Sequence, residues 1–74
     1  MIIIHGSIAI KAKHRAAFLE LAGRAVEDSK AEEGNMDYRL FEAVDEPNTF
    51  LTLEKWIDAY AIKSHQARNI FPIL

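Results

Sequence analysis

Three side chains able to do chemistry lie close together in the stretch LTLEKWIDAYAIKSH, residues 51–65: Glu54, Trp56 and His65. Glu54 and Trp56 are two apart in a strand pattern, so they share a face with Phe50 and Thr52. An indole N–H on that face donates to an oxyanion while its ring stacks on an aromatic ligand. His65 falls on the inward side of a following helix, and imidazole titrates near neutrality, which makes it the best base in the sequence. Glu54 is polar where a strand buries surface, so it requires a partner. Arg39, on a strand expected next door, or Lys63 would form that ion pair. Tyr38 offers a phenol donor to the same region, and His5, on the opposite alternation from Ile4 and in company with Ser7, is a further pocket candidate. Each has a structural reading as well. A lone Trp fills a core, a helix histidine bonds the neighbouring strand, a Tyr ring packs, and Glu54 is half of a salt bridge. The residues alone leave both readings open.

The elements that must position them follow from periodicity. Residues 2–10, IIIHGSIAI, alternate Ile2, Ile4, Ile8 and Ile10 against Ile3, His5, Ser7 and Ala9, a strand. From Lys13 the spacing becomes helical, with Phe18, Leu21, Ala22, Ala25 and Ser29 on one side and Glu20 and Arg24 one turn apart on the wet side. Gly34 is placed to end that helix in a left-handed turn. Met36 to Val44 alternates again, DEPN at 45–48 is turn chemistry, and Phe50 to Ile57 is the third strand. Asp58 is an N-cap for a second helix carrying Ala61, Ile62 and His65, and Pro72 discourages helix at the residue before it. The order β-α-β-β-α predicts an α+β, ferredoxin-like domain, a split β-α-β whose terminal strand is short or absent.

Composition narrows the function. The chain has 74 residues, half of them hydrophobic and 27% charged, which is globular. That length makes one small domain over residues 1–74, hiding roughly 60% of the unfolded surface. Nine Lys and Arg against eleven Asp and Glu give net −2, so no overall field draws phosphate backbones. The third strand also lacks the basic-glycine-aromatic run of RNA-recognition sheets, so nucleic acid is not an expected partner. Without cysteine there is no disulfide, thiolate nucleophile or sulfur-bound metal. His5, His14 and His65 lack zinc-site spacing, and no metal is expected. The cations Lys11, Lys13, His14 and Arg15 oppose the dipole at a helix start and read as solvated. Met1 to Ile4 is too short for a signal sequence, and no apolar run reaches membrane length, so a soluble cytoplasmic protein without a membrane partner is expected.

In a complete ferredoxin-like sheet the first strand lies between the third and fourth. Only IFPIL follows the second helix here. Without a fourth strand the Ile-rich first strand is an edge, and such edges pair with another chain unless covered. The expectation is a homodimer or higher homo-oligomer, or a piece shortened from a longer chain.

Taken together, Ser29-x-x-Glu32-x-Gly34-Asn35-x-x-Tyr38, the DEPNTF turn, Leu53-Glu54-Lys55-Trp56 and Ala61-x-x-x-His65 resemble the antibiotic biosynthesis monooxygenase (ABM) domain over about residues 2–71. The resemblance implies a dimeric α+β barrel in which two units pack sheet against sheet. It also implies an oxygenase that works on a small aromatic or quinol-like molecule with no metal, flavin or haem cofactor. Haem-degrading and isomerase-type relatives, and a non-catalytic dimeric ligand-binding module, are the alternatives. Such chemistry needs an electron-rich anion that can pass an electron to dioxygen, hence a base and donors in an apolar pocket. His65 would be the base, and Trp56, Tyr38, His5 and Glu54 would bind substrate. The sequence departs from the family pattern where a second histidine is usual before a phenylalanine: Ile70 precedes Phe71.

Overall fold

The computed structural model describes residues 1–68. The expectations resting on Ile70, Phe71, Pro72 and a terminal strand fall outside those residues. Three strands and two α-helices follow in order, with a single 3-10 turn (Ala12–His14) after the first strand: β1 (Ile2–Ala9), α1 (Arg15–Lys30), β2 (Asn35–Glu42), β3 (Thr49–Trp56) and α2 (Ala59–Ala67). The sheet order is β1-β3-β2, with β3 antiparallel to both neighbours. β1 and β2 therefore run parallel with β3 inserted between them, the split β-α-β arrangement expected from the element order.

Register decides which residues meet. Across the three strands Ile4, Glu54 and Tyr38 form one row, Gly6, Thr52 and Leu40 the next, and Ile8, Phe50 and Glu42 a third. These rows face the helices. The intervening rows, such as His5, Leu53 and Arg39, face the other way, because successive strand side chains alternate. On that face, free of helix among the described residues, Ile3, Phe41 and Leu51 are exposed.

Two apolar clusters join helices to sheet. Phe18 and Ala22 of α1 pack on Phe50, with Ile8, Ile10 and Leu40 around them. The Phe18 and Phe50 ring centroids are 4.9 Å apart. Tyr38, Trp56 and Ala61 form the second cluster, with Ile4, Val26 and Ile62. Full burial of a large side chain of this kind contributes about 1.5–3 kcal/mol, so these few residues carry much of the fold's stability.

Two boundaries differ from expectation. α1 stops at Lys30, and Gly34 is the last residue of the connection that follows rather than the residue that ends the helix. Gly34 does adopt the left-handed conformation, with φ +87°, and a Cβ there would lie 2.5 Å from the Ala61 Cβ. The glycine is required by the close approach of α2 as much as by the turn. β2 ends at Glu42 rather than Val44, since Ala43 donates from its N–H to the Thr49 carbonyl and closes the hairpin, in which Asn48 takes a positive φ. Asp58 caps α2 as expected: its Oδ1 accepts from the Ala61 N–H at 2.9 Å.

Candidate functional site

Three segments converge at the end of the sheet where α2 begins. β3 supplies Glu54 and Trp56 on its helix-facing side, and β2 supplies Tyr38 opposite Glu54. The Asp58 cap starts α2 directly after β3, so Ala61 and His65, one turn apart, form the stripe that looks down on the sheet. Because both Gly34 and Ala61 are small, the connection between α1 and β2 comes close to α2, and the Ile57 N–H donates to the Gly34 carbonyl at 2.8 Å. That closeness brings Glu32 to His65.

The resulting cluster is continuous. His65 Nδ1 lies 2.9 Å from Glu32 Oε2, and its Nε2 lies 3.9 Å from Glu54 Oε1. Trp56 Nε1 donates to the same Glu54 oxygen at 3.0 Å. The indole and imidazole centroids are 4.7 Å apart, and the Tyr38 ring is 5.7 Å from the imidazole. Trp56 and Tyr38 are fully buried, while the His65 and Glu32 side chains are only 11% and 6% exposed. Arg68, at the rim, places its Nε 3.5 Å from the other Glu32 oxygen.

One imidazole thus stands between two carboxylates in a region nearly closed to water, where such interactions are strong. Burial pushes the Tyr38 phenol well above its ordinary range, and the charges of Glu54 and Glu32 push it further, against a smaller opposing effect of Ser29. Tyr38 is therefore a neutral donor and not a base. The Ser29 hydroxyl, also fully buried, donates to the Ala25 carbonyl at 2.7 Å.

Two open spaces border the cluster. A cleft of about 250 Å³ runs past Glu32, Gly34, Ile57, Asp58, Ala61 and Arg68. A larger groove of about 470 Å³ lies between α1 and β2, lined by Leu19, Gly23, Val26, Leu40 and Phe41 and reaching Tyr38.

Of the residues singled out from sequence, Tyr38, Glu54, Trp56 and His65 are brought together. His5 is not among them. It lies on the exposed, helix-free side of β1, opposite Leu53. The expected partners of Glu54 are corrected. Arg39 shares the row of Leu53 on the outer face and pairs with Asp37 at 2.9 Å, and Lys63 is exposed. A strand residue of the opposite parity cannot reach the inner face, so Glu54 is satisfied by Trp56 instead. In the sequence Glu32 stands out only as part of the Ser29-x-x-Glu32-x-Gly34 motif. A carboxylate in a turn shows no periodicity that would mark it as buried.

The sequence profile of the antibiotic biosynthesis monooxygenase family, ABM, matches residues 1–71. YcnE of Bacillus subtilis (strain 168), provisionally named a monooxygenase, is 49% identical over 65 residues, which are 88% of this chain and 68% of that protein. The uncharacterised protein sll1783 of Synechocystis is 31% identical over 64 residues, or 86% of this chain, but these span only 44% of its length. Among solved structures, a provisionally assigned antibiotic biosynthesis monooxygenase from Deinococcus radiodurans superposes with a TM-score of 0.87 at 30% identity, covering 90% of this chain and 66% of that one. A conserved protein from Methanosarcina mazei Go1 gives the same TM-score at 23% identity, over 95% of this chain and 69% of the other, a likeness of fold alone.

Proposed function

This chain belongs to the antibiotic biosynthesis monooxygenase family, and we propose that it is a cofactor-independent oxygenase acting on a small aromatic or quinol-like substrate. The observation that carries the reading is the His65 imidazole, held by Glu32 on one side and facing Glu54 and the indole of Trp56 on the other. An electron-rich hydroxyl gives its proton to His65 Nε2, and the anion so formed passes an electron to dioxygen. The two fragments then join. One oxygen atom stays on the ring as a carbonyl, and the other leaves as water with two hydrogens from the substrate. Trp56 and Tyr38 are the donors for the substrate anion. The indole N–H donates to Glu54, so an anion binding there takes the place of that carboxylate.

A second copy of the chain is part of this proposal. The exposed Ile3, Phe41 and Leu51 give the helix-free face an apolar surface suited to a copy of itself, with His5 at that contact. A cysteine-free chain suits the cytoplasm as working compartment. Sedimentation of a monomer at all concentrations would remove the dimer from the proposal.

Oxygen uptake with a panel of quinols tests the chemistry. Wild type is expected to consume oxygen, and His65→Ala to lose a factor of about 10²–10⁴, the usual worth of a general base. Equal inactivity of both proteins on every quinol would discard the reading. One observation favours a second reading, a non-catalytic ligand-binding module: the Trp56 indole is wholly buried and its N–H is already engaged. Thermal stabilisation by quinols without oxygen uptake would select it.

A further inference from the structure

The two nitrogens of His65 meet different surroundings. Nδ1 is at hydrogen-bonding distance from Glu32, 2.9 Å, whereas Nε2 is 3.9 Å from Glu54, beyond it. An ionised carboxylate only accepts, so a neutral ring with its proton on Nε2 would set two acceptors against each other at the Glu32 contact. The alternative tautomer resolves that conflict. The remaining groups around the ring are Tyr38 from β2, Trp56 from β3, and Arg68 at the end of α2, which reaches the ring only through the second oxygen of Glu32.

We infer that Glu32 is a positioning residue for His65: it accepts from Nδ1–H, fixes that tautomer, and leaves the Nε2 lone pair on the side of Glu54 and Trp56. The role rests on the proposed reaction, in which Nε2 takes the substrate proton. Glu32 does not touch the reacting atoms. Its side chain is nearly inaccessible and tied by Arg68, so its direction is set before any substrate arrives. When Nε2 gains a proton the ring becomes a double donor, with Glu32 on one side and Glu54 on the other.

Nitrogen NMR on protein carrying isotope-labelled histidine, in solution alkaline to the ordinary imidazole range near pH ~6.5, reads the tautomer directly. The exposed His5 and His14 are references in the same spectrum. Wild-type His65 is expected to carry its proton on Nδ1, unlike the two references. Glu32→Ala removes that difference, and Glu32→Gln, whose amide oxygen still accepts, restores most of it. In the quinol assay Glu32→Ala lowers kcat by about 10-fold to 10²-fold, part of a general base's worth, with KM little changed. A wild-type His65 protonated on Nε2, or a tautomer unaltered in Glu32→Ala, overturns the assignment. The wild-type spectrum needs no variant to fold. It also needs no turnover, so a chain inactive on every quinol but protonated on Nδ1 would reject the reaction and keep the positioning.

Discussion

The helix-facing side of the sheet is built differently at its two ends. Around Phe18, Ala22 and Phe50 the contacts are apolar, and the ionic group nearby sits at the surface: Arg15 pairs with Glu42 and lies 5.7 Å over the Phe50 ring. Around Tyr38 and Trp56 the ionisable groups are inside, with Glu32, Glu54 and His65 almost closed to water. Burying charge costs far more than burying methylene groups, and pairing only offsets it. Both ends bury large apolar side chains, but the apolar end stabilises the fold without that cost. The polar end is the part that can move a proton, and stability alone gives no reason for it.

The largest effect that could break this comparison is at the apolar end. Phe50→Ala is expected to lower unfolding free energy by about 3–5 kcal/mol in a urea titration, the usual range for removing a buried Phe. A loss under about 1 kcal/mol would mean that the core sits elsewhere. At the polar end, Trp56→Phe keeps most of the apolar area but strips Glu54 of its donor. A cost of about 1–3 kcal/mol is expected from the unsatisfied carboxylate, and pairing it with Glu54→Leu should recover part of it. If the single variant proves neutral, the indole–carboxylate bond is incidental. Asp58→Ala removes the cap that starts α2 and should cost about 1 kcal/mol, with His65 displaced and any oxygenase activity lowered more than stability.

The smallest effect concerns acid. Hydrogen bonds from Arg15 and from the Asn48 N–H hold the Glu42 carboxyl down at about 2. A carboxyl depressed on folding contributes stability that is present above its unfolded value and lost as pH falls towards the folded one. The Arg15–Glu42 contribution should thus fade between the ordinary carboxylate range and about pH 2. Glu42→Gln should flatten the acid limb of a pH titration followed by Trp56 fluorescence. The group is exposed, so the change should also shrink as salt is added.

Much of the fold is legible in the residues. The Ile alternation of β1, the Phe18 to Ser29 stripe of α1 and the Asp58 cap each depend on contacts within a few positions, and each is found where periodicity places it. The end of α1 was less legible. Gly34 marks a turn, but its place in that turn is set by Ala61, twenty-seven residues on, which leaves no room for a side chain. The partner of Glu54 is hidden for a related reason. Strand adjacency alone points to Arg39, but the parity of the row, which only the register of β2 on β3 supplies, puts Arg39 on the other face.

By itself, the sequence determined the order and type of the elements, the family, and four side chains of the cluster, because local periodicity and motif spacing are properties of the chain. Tertiary structure alone decided that Glu32 belongs with them, that His5 lies on the far side of the sheet, and that Glu54 answers to Trp56. Those outcomes depend on which strand faces meet and how closely α2 approaches the turn at Gly34, distances in space for which spacing along the chain carries no signal.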